Sequence, residues 1–336
     1  MKVLMVGAGA LGQVFGLWLT RGGASVTYLV RPGREEWGED GRTLFRLRRL
    51  GRPVAGRLRP DAVRTETVCA EAPGAPGDAE WDAIWLCVPS PALHEPWVRA
   101  LRDRTAPREP DGGGGGDDAH GRSDGGATIV TIGQDPRDLP ALARIWPRER
   151  IVQVVPSVLA HPAPRTDEVP SAGIAYWQPP GTAHTVWGTR DRARPVVAAL
   201  RAAGVRTRGA GRAGTAELGA ARMIPYMAAL EIAGWSLPAL RSGLTAPTAA
   251  AHEATAVTAA LLHRAPPRLP VPAWAAWLVL RALPVLAPFD LPRYLRAHFG
   301  KVGPQTREML DAWITEGASR GLPVSALKEL RGALKP

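Results

Sequence analysis

The 336-residue sequence contains no asparagine, only four lysines and only two cysteines, and each shortage narrows what the chain can be. Cys69 and Cys87 are too few for a disulfide framework, and they lack the spacing of a zinc site. A reducing, cytoplasmic setting is the expectation, and no metal is expected. No uninterrupted apolar run reaches the ~20 residues of a membrane span. The most apolar segment, Trp274 to Phe289, is interrupted by Arg281 and Pro284 and is expected to form a buried helix, without stable membrane insertion. The Trp274/Trp277 pair keeps an interfacial contact open. The N-terminus has only Lys2 before an apolar run that meets Gly7, which reads as a strand and not as a signal peptide.

What the chain has in excess is arginine. The formal net charge is +11, and Lys2, Lys301, Lys328 and Lys335 stand against 38 arginines. Such a charge raises nucleic acid as a partner, but the arginines are dispersed. Their densest cluster, Arg42 to Arg59, has no interleaved aromatic ladder on which bases could stack. A small-molecule substrate is therefore expected, and no nucleic acid.

Length suggests two domains. Lys2 to Val6 is an apolar run that ends at glycine. Leu11 to Arg21 places Leu11, Val14, Phe15, Trp18 and Leu19 at helical spacing, and Ser25 to Val30 follows as a second strand after Gly22-Gly23. Further strands are expected at Ala83 to Val88, Thr128 to Ile132, Ile151 to Val155, Gly173 to Trp177 and Thr185 to Gly188. Arg42 to Glu71 is less regular, with room for more strands or a hairpin. Helices are expected at Leu93 to Leu101 and Arg192 to Ala203. Pro107 to Gly126, with five consecutive glycines and almost no apolar side chain, reads as a disordered surface insertion. Alternating strands and helices predict an α/β, Rossmann-type doubly wound parallel sheet over 1–212. An all-α domain over 213–336 follows, with helices at Thr215 to Leu240, Thr248 to Leu262, Trp274 to Leu286, Leu291 to Phe299 and Gln305 to Arg320. Such a domain suits substrate binding and a homodimer.

Gly7-Ala8-Gly9-Ala10-Leu11-Gly12 fits G-x-G-x-x-G between a strand and an amphipathic helix. Gly7 permits a tight turn, Gly9 lets the backbone approach a pyrophosphate, and Gly12 lets the helix pack closely on the strand. The N–H groups of Ala10 and Leu11 at the helix start then favour an anion. After the second strand, where an acid commonly binds the ribose hydroxyls of NAD, the chain has Arg31-Pro-Gly-Arg34. Guanidinium groups suit a 2′-phosphate, so the expected cofactor is NADP(H).

The runs KVLMVGAGALGQVFG, VTYLVRPGR and WDAIWLCVPSPAL resemble the ketopantoate reductase family, and the stretch from Glu316 to Val324 is similar to that family's last helix and its exit. The resemblance implies a Rossmann domain, a helical domain and hydride transfer from NADPH to a 2-oxo acid in the cleft between them. It also implies a lysine that polarises the carbonyl, asparagines that hold substrate and cofactor, and a glutamate for the far hydroxyl. This chain has no asparagine, and the position corresponding to the family's lysine after the strand ending at Val88 is Pro89, with Ser90 next to it. Gly133-Gln134-Asp135 stands for the family's Gln-Asn-Gly, leaving Gln134 for the nicotinamide ribose. Gln305 falls where the family's glutamate lies, with Glu308 one turn later.

Around Gly219 to Tyr226, where the resemblance places the catalytic lysine, the basic residue is Arg222. It can clamp a carboxylate but is a poor proton donor. Lys301 is the one lysine in a plausible cleft segment, three residues after His298. That pair suits a donor beside a carboxylate anchor, or else merely caps a helix C-terminus. Tyr226 is another candidate donor. His94 fits either an approach to the cleft or a solvated helical turn, and is read as the latter. Two functions follow as expectations: an NADPH-dependent reductase of a small 2-oxo acid or related carbonyl compound, or a catalytically silent NADP(H)-binding sensor or partner protein.

Overall fold

The computed structural model describes all residues except 34–36, 38, 39, 66–80, 106–125, 134, 136, 165–167, 210–213, 266–270, 302, 335 and 336. The surface insertion expected at 107–126, the domain boundary near residue 212 and the residues Arg34, Cys69 and Gln134 thus lie wholly or almost wholly outside the described part.

The chain opens with β1 (Lys2–Val6), α1 (Ala10–Arg21) and β2 (Ser25–Val30), as the sequence pattern predicts. The next strands are β3 (Arg42–Arg46), β4 (Val54–Leu58), β5 (Ala62–Thr65) and β6 (Ala83–Leu86). A 3-10 turn at Ser90–His94 and α2 (Trp97–Arg104) then replace the single helix expected over Leu93 to Leu101. The reason is Pro96. Glu95 before it is extended, at φ −82° and ψ 155°, as a residue preceding proline prefers. There follow β7 (Thr128–Thr131), α3 (Asp138–Ala143), β8 (Ile151–Val155), β9 (Leu159–Ala163), β10 (Gly173–Trp177), β11 (His184–Trp187), α4 (Arg190–Ala202) and β12 (Thr207–Gly209).

The main sheet has the order β12-β11-β8-β7-β6-β1-β2-β5. From β8 through β5 every pairing is parallel, and β11 joins antiparallel to β8. Alternation along β1 shows why the sheet is covered on both faces. Val3 and Met5 pack with Phe15 and Trp18 of α1, whereas Leu4 and Val6 pack with Leu93, Val98 and Leu139 on the other side. A second sheet, β4-β3-β10-β9, lies against α1, so the irregular stretch after Arg42 is a hairpin that borrows its partners from residues 159–177.

The rest of the described chain is helical: α5 (Thr215–Ile232), α6 (Leu237–Ser242), α7 (Thr245–Leu261), α8 (Ala273–Leu286), α9 (Leu291–Lys301), α10 (Gly303–Ser319) and α11 (Ser325–Ala333). The helix expected from Thr215 to Leu240 is two helices. Gly234 and Trp235 take positive φ, 63° and 66°, and Ser236 restarts the chain by accepting the Ala239 N–H on its hydroxyl. The start of α11 is capped by Glu253 of α7, whose carboxylate accepts the N–H groups of Ala326 and Leu327. One expectation is corrected. The helix over Trp274 to Leu286 is not buried: only Ala276 and Leu280 are inside, and Trp274, Trp277, Leu278 and Val279 are exposed, because α8 touches its neighbours along one narrow side. Among the described residues no single helix is long and apolar enough to cross a membrane; α8 with the first part of α9 passes that test only as a pair bent by 107°.

Candidate active site at the carboxyl edge of the sheet

All strands from β8 to β5 end on the same edge, and the chain reverses direction across the sheet at β1, where an open α/β sheet forms its ligand crevice. The glycine loop sits there. Gly7 has φ +95°, and a Cβ on it would lie 2.8 Å from the carbonyl oxygen of Cys87, so glycine is required twice over. A Cβ on Gly12 would lie 2.5 Å from the carbonyl oxygen of Gly7, which presses α1 onto the strand end. Gly9 is different: among the described residues nothing lies within 4 Å of where its Cβ would be. The first intrahelical bond is donated by Gln13 to Gly9, leaving the N–H groups of Ala10, Leu11 and Gly12 without intrahelical acceptors. No side chain caps this end and no acid occupies its first turn. The loop therefore offers open, uncapped donors and a positive dipole end. Tyr28 of β2 holds the arrangement by donating to the Gly12 carbonyl at 2.9 Å. Arg31, exposed, follows the end of β2. Cys87 behind the loop is no nucleophile, since burial pushes its thiol up to about 12.

A polar cluster lies beside the loop, after β6 and β7. Ser90 is buried and donates its hydroxyl proton to Asp138 Oδ2 at 2.5 Å. His94, 39% exposed, brings Nε2 to 3.5 Å from Asp138 Oδ1, an oxygen with no hydrogen bond of its own among the described residues. Burial pushes the Asp138 carboxyl up to about 6; the nearby Asp135 charge adds to this, while Ser90 and His94 oppose it. Asp135 is also buried and is held by Arg137 through its backbone N–H, Nε and Nη2, at 2.9, 3.0 and 2.7 Å. The same guanidinium reaches Glu308 of α10 at 3.3 Å. At β8, the amide of Gln153 donates to the Gly133 carbonyl and to Glu217 of α5 at 3.4 Å. Burial raises the Glu217 carboxyl above its ordinary value, and its other oxygen is unpartnered among the described residues. Two carboxylates of the helical domain thus reach the strand edge.

The residues singled out from the sequence divide accordingly. Gly7, Gly9, Ala10, Leu11 and Gly12 form the loop, Arg31 lies at the neighbouring strand end, and Ser90 stands behind the crevice bonded to Asp138. Glu308 joins the edge through Arg137. Arg222 lies elsewhere, on the wall of an apolar pocket of about 300 Å³ between α5, α7 and α8. Tyr226 lines the same pocket, its hydroxyl 2.9 Å from Thr248 Oγ1. His298 is exposed on α9, stacked on Tyr294 at 5.5 Å. Lys301 ends that helix, and its side chain is outside the described part. The sequence reading passed over Asp135, Arg137, Asp138, Gln153 and Glu217, and placed His94 in solvent. A signal existed: Asp135-Pro-Arg-Asp138 directly follows a parallel strand, at the edge where such sheets bind ligands. Among the described residues no group of three or more His, Cys, Asp or Glu is placed to hold a metal ion.

Solved structures share this architecture along nearly the whole chain. The 2-dehydropantoate 2-reductase of Methylococcus capsulatus superposes with a TM-score of 0.65 at 20% identity, covering 99% of this chain and 95% of that one. The 2-dehydropantoate 2-reductase of Geobacter metallireducens GS-15 gives 0.64 at 16% identity, with 99% of each chain covered. A D-mandelate dehydrogenase solved with NADH and anilino(oxo)acetate gives 0.62 at 13% identity, covering 99% and 96%. No protein-family model matches the chain, and no curated protein matches it. The chain has the fold of the ketopantoate reductases.

Proposed function

We propose that the chain is an NADP(H)-dependent oxidoreductase that reduces the carbonyl of a small 2-oxo acid or related compound. The observation that carries this reading is the loop from Gly7 to Gly12, whose one unobstructed glycine, Gly9, adjoins uncapped helix N–H groups at the crevice of a parallel sheet. These residues fit a dinucleotide: among the described residues the space a side chain would fill at Gly9 is free, and the first turn of the helix holds no acid. Gly7, Gly9, Ala10, Leu11 and Gly12 would hold the pyrophosphate, Arg31 would pair with the 2′-phosphate, and Ser90 and Gln134 would serve the nicotinamide end. When bound, the nicotinamide supplies the two-electron equivalent that reduces a carbonyl.

The chain's own part is to orient the substrate, shield it and provide a proton. On the helical side Glu308 of α10 is linked to the edge through Arg137, and Glu217 of α5 through Gln153, so both helices are candidates to face the substrate across the crevice. Arg222 remains the candidate clamp for a carboxylate if the substrate extends toward α5. That the solved relatives include a 2-dehydropantoate 2-reductase and a D-mandelate dehydrogenase supports a 2-oxo or 2-hydroxy acid, and sets the first substrates to try. The test is a titration with NADPH and NADH followed by fluorescence, then loss of NADPH absorbance with ketopantoate, benzoylformate and shorter 2-oxo acids. Tight NADPH binding and substrate-dependent oxidation are expected. Binding without oxidation of any member of the panel would instead support the silent sensor.

A further inference from the structure

In the cluster beside the glycine loop, His94 is an imidazole that a buried carboxylate anchors and that still meets water. We propose that His94, oriented by Asp138, is the catalytic acid that delivers the proton to the substrate oxygen; this rests on the reductase reading above.

Position comes first. The turn Ser90–His94 leaves the end of β6, and the Cys87 carbonyl at that strand end lies against Gly7 of the nucleotide loop. The loop after β7 leads to Asp138 on the same edge, so the two partners follow β6, which neighbours β1, and β7, which neighbours β6. Burial comes second. Asp138 is fully buried, yet one of its oxygens has, among the described residues, the His94 ring nitrogen at 3.5 Å as its sole ionic partner. The neighbouring Arg137 guanidinium is committed to Asp135 and Glu308. A buried carboxylate oxygen in this state favours an N–H on the imidazole nitrogen that faces it, and Ser90 fixes the other oxygen so that the carboxylate cannot turn away. With Nε2 toward Asp138, the proton on Nδ1 is the one available to a ligand, and the exposure of the ring lets water replace it. The alternatives are differently engaged: the Tyr226 hydroxyl is bonded to Thr248, and arginine does not release a proton at physiological pH.

In the proposed step a hydride, with its electron pair, passes from NADPH to the carbonyl carbon. The C=O π pair moves onto oxygen, which takes the Nδ1 proton of His94. The alcohol, NADP⁺ and neutral imidazole result, and a proton from water restores the imidazolium. The charged groups around the dyad are Asp135 and Arg137 on the loop before α3, Glu308 of α10 and Glu95 next to His94. None of them changes between His94→Gln and the native chain.

The experiment uses the full chain, with NADPH affinity read by fluorescence in every variant. His94→Gln, at a partly exposed position, is expected to fold, to bind NADPH as the native protein does and to lose about 10²- to 10⁴-fold in kcat. Asp138→Asn, which keeps the shape of the positioning residue but not its charge, is expected to lower kcat at least about tenfold while KM and NADPH affinity stay as in the native protein. Imidazole nitrogen NMR of the ligand-free protein gives an arm independent of turnover: the signals absent from His94→Gln are expected to show the neutral ring carrying its proton on Nε2 in the native protein and to lose that tautomer preference in Asp138→Asn. Turnover surviving His94→Gln, or a kcat and a tautomer preference both unmoved in Asp138→Asn, overturns the assignment while leaving the reductase reading intact. A native protein that binds NADPH and reduces nothing overturns both.

Discussion

Two glycines three residues apart, about 4.5 Å along the helix, should respond to the same substitution in opposite ways if the loop is built as described. In Gly12→Ala the new Cβ meets the Gly7 carbonyl oxygen at 2.5 Å and the Cys87 Cβ at 3.2 Å. Neither is the end of a flexible side chain. The start of α1 has to withdraw by about 1 Å to reach ordinary van der Waals separation. Overpacking of this kind costs about 1–3 kcal/mol, while alanine in place of glycine inside a helix returns about 0.5–1 kcal/mol, so the net loss is about 1 kcal/mol. For a domain of this size that lowers Tm by about 2–4 °C. In Gly9→Ala, φ −65° and ψ 176° are allowed for alanine and the Cβ points into free space. The weaker helix cap and the reduced freedom of the unfolded chain are each about 0.5 kcal/mol and opposed, so stability should stay unchanged. The Cβ nevertheless occupies the space assigned to the pyrophosphate, and NADPH affinity should fall at least about tenfold, or 1.4 kcal/mol. Differential scanning fluorimetry with and without NADPH reads both effects on the same samples. A Gly9→Ala protein that binds NADPH normally would refute the placement of the phosphates at this helix end.

The other expectations concern charge. Arg31→Asp should lower NADPH affinity by about tenfold or more and leave NADH affinity level or improved, since a carboxylate repels the 2′-phosphate but accepts ribose hydroxyls; parallel titrations of the two cofactors decide it. Arg137→Ala should destabilise the fold by about 1–3 kcal/mol in urea unfolding, because it leaves the buried Asp135 unpaired, whereas Glu308→Gln, at a half-exposed carboxylate, should cost less than about 1 kcal/mol. Equal losses would mean that Asp135 finds another donor. The Glu217 carboxyl is raised above its unfolded value, so it stabilises the fold at low pH and that contribution is lost as pH rises through its folded value. Glu217→Gln should therefore be more stable relative to the native protein at pH 8 than at pH 5. His184, which burial pushes down to about 4, acts in the opposite sense and cancels in this comparison. A stability difference independent of pH between the two proteins contradicts a Glu217 carboxyl raised by burial.

Much of the architecture could be read along the chain because its determinants are local. The strand, glycine turn and helix of the first twenty-one residues are set by near neighbours in sequence, as are the cores of β2, β6, β7 and β8. Errors arose where a neighbour distant in sequence decides. β3, beside its hairpin partner β4, finds its other partner in β10, which lies more than a hundred residues later, and no periodicity in Arg42 to Leu58 announces that pairing. The α8 segment is apolar enough for a core, but whether an apolar helix is covered depends on how many elements reach it, and few do here. His94 has the appearance of an ordinary solvated histidine until Asp138, forty-four residues on, closes beneath it.

The glycine loop and the basic residue that follows β2 were legible along the chain, since a βαβ unit is specified by a contiguous pattern of apolar residues and glycines. The partner of each polar group at the edge was decided only by tertiary structure. Parallel pairing of β6 with β7 brings Ser90 and His94 to Asp138, and docking of the helical domain brings Glu217 to Gln153 and Glu308 to Arg137. The physical reason is that a buried charge takes its protonation state and its role from the groups within a few ångströms, and in a parallel sheet those groups come from separate crossover connections.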